Sequence, residues 1–140
     1  MALIKNFTTD SGITVNYHRI VSISKEGAEI VKVILHSYVD ESYRNLEKTN
    51  DDLIIKRRKI DEKIDEYVKK LNNEGLTEEE HIEYDNLQKE SLVTIPDINK
   101  VYFVYDMTVE VNIEEIENLS FKDIYNAIKC VEPFINSEDI

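Results

Sequence analysis

The chain is poor in the residues that punctuate and cross-link a fold: three glycines, two prolines, one cysteine, three histidines and no tryptophan among 140 residues. The lone Cys130 excludes an intrachain disulfide and any zinc site built on thiolates. Its expected place is the core side of the last helix. Gly12, Gly27 and Gly75 are isolated, and each fits a turn or a cap, so no glycine-rich phosphate loop is present. No apolar stretch approaches the ~20 residues that cross a bilayer. The opening Met1-Ala2-Leu3-Ile4-Lys5-Asn6 has no cationic segment leading into a long apolar core. These absences predict a soluble protein made in the cytoplasm, with no cofactor.

Positive charge is also scarce, and the net charge is −12. It is uneven: residues 1–39 carry +1, residues 40–92 carry −6 and residues 93–140 carry −7. Such a surface repels phosphate backbones and anionic membranes, so neither nucleic acid nor membrane is an expected partner. The single basic run, Lys56-Arg57-Arg58-Lys59, spans all sides of a helix and is flanked by Asp52, Asp61 and Glu62. A salt-bridged helix surface is the expectation for it.

What is present is alternation. Leu3, Ile4 and Phe7 open a short strand that ends at Asp10-Ser11-Gly12, a turn signal. From Ile13 the odd positions are Ile13, Val15, Tyr17, Arg19, Val21 and Ile23, with the pattern disturbed near His18–Ile20, where a bulge is expected. Residues 30–39 set Val31, Val33, Leu35 and Val39 against Lys32, His36 and Tyr38. Residues 101–111 repeat the theme with Val101, Phe103, Tyr105, Met107, Val109 and Val111 on one face. Short connections among the first three strands favour an antiparallel meander.

Between those last two strands lies a charged segment with helical period. Leu46, Leu53, Ile60 and Tyr67 recur every seven residues, with Asn50, Arg57, Ile64 and Leu71 at the other seam positions. Asn50 and Arg57 read as polar seam residues that set register rather than stability. Asp52/Lys56, Asp65/Lys69 and Glu66/Lys70 are well-oriented i,i+4 pairs. Gly75 suits a left-handed cap, and Thr77-Glu78-Glu79-Glu80 a capping box opening a second helix to about Ser91, with Tyr84 and Leu87 on its stripe. The first helix, about 28 residues, would be on the order of 40 Å long. Pro96 marks the return to the sheet. Glu114–Asn118 reads as a polar link, after which Ser120 caps a final helix with stripe Phe121, Ile124, Tyr125, Ile128 and Val131. Pro133 stops it, and residues 136–140 read as a loose tail.

The expected fold is therefore α+β: a small antiparallel β-sheet of about four strands with a C-terminal helix and an inserted α-helical hairpin, a coiled-coil-like arm. Residues 1–41 and 93–140 form the β-rich body and residues 42–92 the hairpin. The interaction residues expected on the helical seam are Leu46, Leu53, Ile60, Ile64, Tyr67, Leu71, Tyr84 and Leu87. Tyrosine combines contact area with a polar tip, which adds Tyr17, Tyr38 and Tyr102 on the sheet.

Chemistry finds no clear constellation. His18, His36 and His81 fall in different elements, and His81 with Asp85 lacks a third convergent metal ligand. Acidic pairs such as Asp51-Asp52 and Glu114-Glu115 are expected by chance among 29 acidic residues. Ser22 or Ser37 pairs with a histidine only on paper, without a sharp nucleophile turn. No catalytic, cofactor or metal residue is assigned.

The stretch Leu3-Ile4-Lys5, with Thr9-Asp10-Ser11-Gly12-Ile13-Thr14-Val15-Asn16-Tyr17-His18-Arg19-Ile20-Val21-Ser22-Ile23, resembles small uncharacterised proteins of tailed phages and prophages of Gram-positive bacteria, associated with tail and baseplate genes. Ser37-Tyr38-Val39-Asp40-Glu41-Ser42-Tyr43-Arg44 resembles their second block, and Ile124-Tyr125-Asn126-Ala127-Ile128-Lys129 their C-terminal helix. The likeness covers residues 3–44 and, more weakly, 101–134; residues 45–95 stand as an insertion. It brings no catalytic motif. It implies a non-enzymatic structural or adaptor protein of a phage tail or phage-tail-like particle, in the baseplate or tail-fibre region, assembled in the host cytoplasm. Its partners would be other virion or tail proteins and symmetric copies of itself. An assembly chaperone that does not stay in the particle is the alternative, and a small metal-dependent enzyme or regulator a remoter one.

Overall fold

The computed structural model describes residues 1–112 and 120–140; the polar link at 114–118 and the Glu114-Glu115 pair lie outside them. In chain order the elements are β1 (Leu3–Thr8), β2 (Thr14–Glu26), β3 (Ile30–Tyr38), α1 (Glu41–Asn73), α2 (Glu78–Val93), β4 (Tyr105–Asn112), α3 (Phe121–Ile128) and β5 (Glu138–Asp139). They divide into two compact units, Met1–Asn45 with Val101–Ile140, and Leu46–Lys100. The fold is α+β, with a five-stranded antiparallel sheet in the order β4-β3-β2-β1-β5.

In the first unit, Gly12 takes φ +82° and lets the chain reverse after β1; its N–H reaches the Thr9 carbonyl at 2.8 Å. β2 slips register against β3 between Ile20 and Ser22, the bulge that the disturbed alternation predicts. Before the slip His18 and Ile20 lie opposite Ser37 and Leu35; after it Ile23 lies opposite Val33. One extra residue thus changes which parity of β2 meets the core. That core comprises Leu3, Ile20, Val31, Val33, Leu35, Val109 and Val111 of the sheet, packed against Ile124, Tyr125, Ala127, Ile128 and Phe134. Full burial of an aliphatic side chain such as Leu35 contributes about 1.5–3 kcal/mol.

The opposite face carries a second, smaller cluster of Ala2, Tyr17 and Tyr38, with Ile4, Tyr102 and Phe103 against it. This corrects the expectation that Tyr17 and Tyr38 offer interaction surface. Both are buried, Tyr38 wholly, and their rings meet edge to face at 5.9 Å. Tyr102 is half-buried beside them. The reason is that the segment before β4 does not extend the strand to residue 101. It is tied to β3 by the Val104 N–H to the Ser37 carbonyl (2.9 Å), while Tyr102 and Phe103 fold onto the sheet. His36 stacks on Phe103 with centroids 3.6 Å apart.

The C-terminus departs from the expected loose tail. Phe134 is fully buried, and β5 pairs with β1 through Leu3↔Asp139 and Ile4↔Glu138. The backbone edge of β1 supplies the partners, so the pairing needs no β-forming side chains. Ser120 caps α3 as expected, its hydroxyl accepting the Asp123 N–H at 3.2 Å. Two members of that helix are misplaced by the sequence reading: Phe121 is exposed, and so is Cys130, which lies beyond the helix end rather than in the core.

α1 runs 33 residues rather than about 28. It begins at Glu41 because the Asp40 carboxylate caps it, accepting the Ser42 N–H at 2.8 Å. The Ser42 hydroxyl also bonds to Asp40 and holds its carboxyl below the usual range. In the second unit the helices antiparallel-pair through a tight link. Gly75 takes φ +79°, and its N–H and that of Glu74 both reach the Lys70 carbonyl. Thr77 accepts the Glu80 N–H at 3.2 Å, while Lys70 pairs with the Glu80 carboxylate at 2.6 Å and holds its pKa down.

Candidate interaction surface

The hairpin seam is apolar in its middle and polar toward the open end. Ile60 and Leu87 are buried, Leu53 and Ile64 half-buried, and Tyr67 meets Tyr84 edge to face at 6.2 Å. A hydrogen bond to the Glu83 carboxylate pushes the Tyr67 phenol up to about 12. Leu46 and Leu71, by contrast, are exposed and take no part in the seam. The seven-residue repeat outruns the second helix: α2 has 16 residues against 33 in α1, so the ends of the stripe find no helix opposite.

Asn50 and Arg57 do something other than set register. A helix leaves its last carbonyls without partners, and Arg57 supplies them: its Nη1 donates to the Ser91 carbonyl at 2.7 Å and the Thr94 carbonyl at 3.1 Å. Its Nε donates to both oxygens of Asp61, at 3.0 and 3.1 Å, which fixes the guanidinium plane. Two turns of α1 away in the N-terminal direction, Asn50 grips Asp97 with both halves of its amide. Nδ2 donates to the Asp97 carbonyl and Oδ1 accepts the Asp97 N–H, each at 2.8 Å. Asp97 in turn accepts the N–H groups of Asn99 and Lys100 at 3.1 Å. Residues 94–100 have no regular structure, yet their backbone is tied down at the Thr94 and Asp97 carbonyls and at the Asp97, Asn99 and Lys100 N–H groups.

That anchored backbone turns large aliphatic side chains outward. Leu92, Val93, Ile95 and Ile98 are 76%, 80%, 72% and 77% exposed. Four such residues within seven positions make a concentrated apolar surface, unlike single exposed aliphatics, which are ordinary. Covering each contributes about 1.5–3 kcal/mol. Sequence reasoning noted here only Pro96, as the mark of the chain's return to the sheet. The density of Leu, Val and Ile without a helical or strand period was the signal that could have found them.

The histidines are held for other purposes. His18 is fully buried; its Nε2–H donates to the Lys5 carbonyl at 2.7 Å, so Nδ1 accepts the Ser37 hydroxyl at 2.8 Å. Burial pushes its pKa below the usual value, and the ring stacks on Phe7 at 4.9 Å. Ser37 and His18 thus adopt a nucleophile–base distance, but both are sealed in the sheet with no exposed surface. His81 is exposed on α2. Among the described residues no group of three His, Cys, Asp or Glu side chains is placed to hold a metal ion.

The first three residues of the basic run are ion-paired: Lys56 to Glu90 at 3.0 Å, Arg57 to Asp61 at 3.0 Å and Arg58 to Glu62 at 3.9 Å. Beside it a shallow cavity of about 240 Å³ is lined by Lys56, Lys59, Ile60, Lys63, Leu87 and Glu90. Among the described residues no helix is long and apolar enough to cross a membrane. Compared with known proteins, the chain matches no family model, and no curated protein or solved structure shows significant similarity to it.

Proposed function

We propose that this protein is a non-enzymatic adaptor of a phage tail or phage-tail-like particle, acting in the baseplate or tail-fibre region by docking onto another tail protein. The observation that carries the docking part is the surface of Leu92, Val93, Ile95 and Ile98, apolar and exposed on a backbone fixed by Arg57 and Asn50. A preorganised apolar surface loses little chain entropy on binding, so most of the burial is available as affinity. The particle setting rests on the resemblance of residues 3–44, and more weakly 101–134, to phage tail-region proteins. The site of action would be the virion or particle, assembled in the host cytoplasm.

Mass spectrometry of purified particles tests this reading. A fixed stoichiometry of the chain is expected, and Leu92→Ser with Ile95→Ser should fold normally yet be lost from the particle. A second reading, an assembly chaperone that leaves before completion, is favoured by the net charge of −12, which suits a soluble holding protein. Absence from finished particles, with presence on assembly intermediates, would select it. Absence from both would sink the tail reading altogether.

A further inference from the structure

The groove beside the Ile60–Leu87 contact has a charge pattern complementary to itself. α1 sends Lys56, Lys59 and Lys63 to its rim, α2 sends Glu90, and Ile60 and Leu87 form the floor. Positions 56, 59 and 63 share one helix face. Lys56 is held by Glu90 at 3.0 Å and Lys63 by Glu83 at 3.9 Å, both from α2. Among the described residues Lys59, between them, has no acidic side chain within ion-pairing distance. Between residues 56 and 63, one side of the hairpin therefore sets three α1 lysines beside Glu83 and Glu90 of α2, with one cation left over.

Such a face meets a second copy in two ways. A two-fold axis along the hairpin lays α1 of each copy on α2 of the other, lysines on glutamates. A two-fold across the hairpin sets lysines on lysines, which like-charge repulsion disfavours. At about 100° per residue, Ile55 and Val93 fall on the same side as Lys59 and Glu90, toward the outer rims. They are 43% and 80% exposed. Under the axis along the hairpin, Ile55 of each copy meets Val93 of the other, adding an apolar contact to the ionic one. We propose that this face is a homodimer interface, with Lys59 of each copy opposite Glu90 of its mate. It draws on Val93 of the proposed docking surface but calls on none of Leu92, Ile95 and Ile98.

Sedimentation equilibrium of the full-length chain tests the proposal. The wild type should be dimeric at about 0.05 M salt and dissociate toward monomer at about 0.5 M. Symmetry makes each substitution act twice, so Lys59→Glu and Glu90→Lys should each raise the dimer dissociation constant at least about tenfold. Mixing the two variants in equal amounts should restore the dimer, because each then meets the opposite charge. Ile55→Asp, on an exposed position, should keep the helical circular dichroism and also dissociate the dimer. A wild type that stays monomeric at low salt, a mixture of the charge variants that does not associate, or Ile55→Asp associating like the wild type would each overturn it.

Discussion

The Tyr125 hydroxyl accepts the Ile20 N–H at 2.8 Å, from a helix 105 residues further along the chain. Ile20 stands at the point where β2 slips register against β3, where the ladder cannot be continued regularly. The same hydroxyl donates to the Met1 carbonyl at 2.9 Å. One phenol thus serves a bulged strand and the N-terminal segment together. Its burial pushes its pKa up, which keeps it in the neutral form that can donate.

Tyr125→Phe should therefore cost more than its single oxygen suggests. It leaves the ring packed but orphans a buried N–H, and a buried group without its partner costs about 1–3 kcal/mol. Urea unfolding should show the midpoint falling with an unchanged slope. A loss under about 0.3 kcal/mol would mean water replaces the hydroxyl at the bulge.

His18 links stability to pH, and the sign follows from burial. Its folded pKa lies below the usual 6.5, so in acid the unfolded chain takes a proton that the folded chain refuses. Stability from this group is complete above the unfolded pKa and declines as the pH falls below about 6.5 toward the folded value. The urea midpoint at pH 5.5 should be lower than at pH 7.5, and in His18→Gln the difference should shrink. An equal difference in both proteins would assign the effect to carboxylates instead.

The sheet and the hairpin were readable from the sequence because each has strong local signals. Val31, Val33 and Leu35 alternate cleanly; Gly75 and Thr77 mark a helix end and the next helix start with side chains that do the capping. What escaped depends on tertiary partners. β5 forms because the β1 backbone edge is there to bond, and Glu138-Asp139 carries no trace of that. Tyr38 occupies a position that alternation assigns to solvent, yet the fold of Tyr102 and Phe103 onto that face buries it. The candidate docking residues escaped for a similar reason: Leu92 and Ile95 look like core until Arg57 is seen holding the backbone beside them.

Arg57→Met tests whether that anchoring is what displays the aliphatic surface. The replacement keeps apolar length in the seam but removes donors from the Ser91 and Thr94 carbonyls. Hydrogen exchange should speed up by about tenfold or more over residues 92–97 while the Ile60–Leu87 level of the hairpin changes little. Asn50→Ala should produce the same pattern centred on Asp97, where both backbone bonds are lost. Unchanged exchange in either variant would show that the segment is held by something other than the two polar seam residues.

Removing the hairpin asks whether the sheet unit depends on it. The core of Leu3, Ile20, Val33, Leu35, Val109, Ile124 and Phe134 draws on no residue between 46 and 100. The second cluster, Ala2, Tyr17 and Tyr38 with Tyr102 and Phe103, also lies wholly outside that range. Replacing residues 46–91 by a short Gly-Ser linker should therefore leave a cooperatively folding β unit, with a thermal transition followed at the β-sheet band by circular dichroism. Its stability should change only modestly, because loop-closure entropy varies by only about 0.6 kcal/mol per doubling of the connection between β3 and β4. Binding to the proposed partner should vanish with residues 92–98 left in place but no longer anchored, since Asn50 and Arg57 go with the hairpin. Loss of the folding transition would instead make the hairpin part of what holds the sheet together.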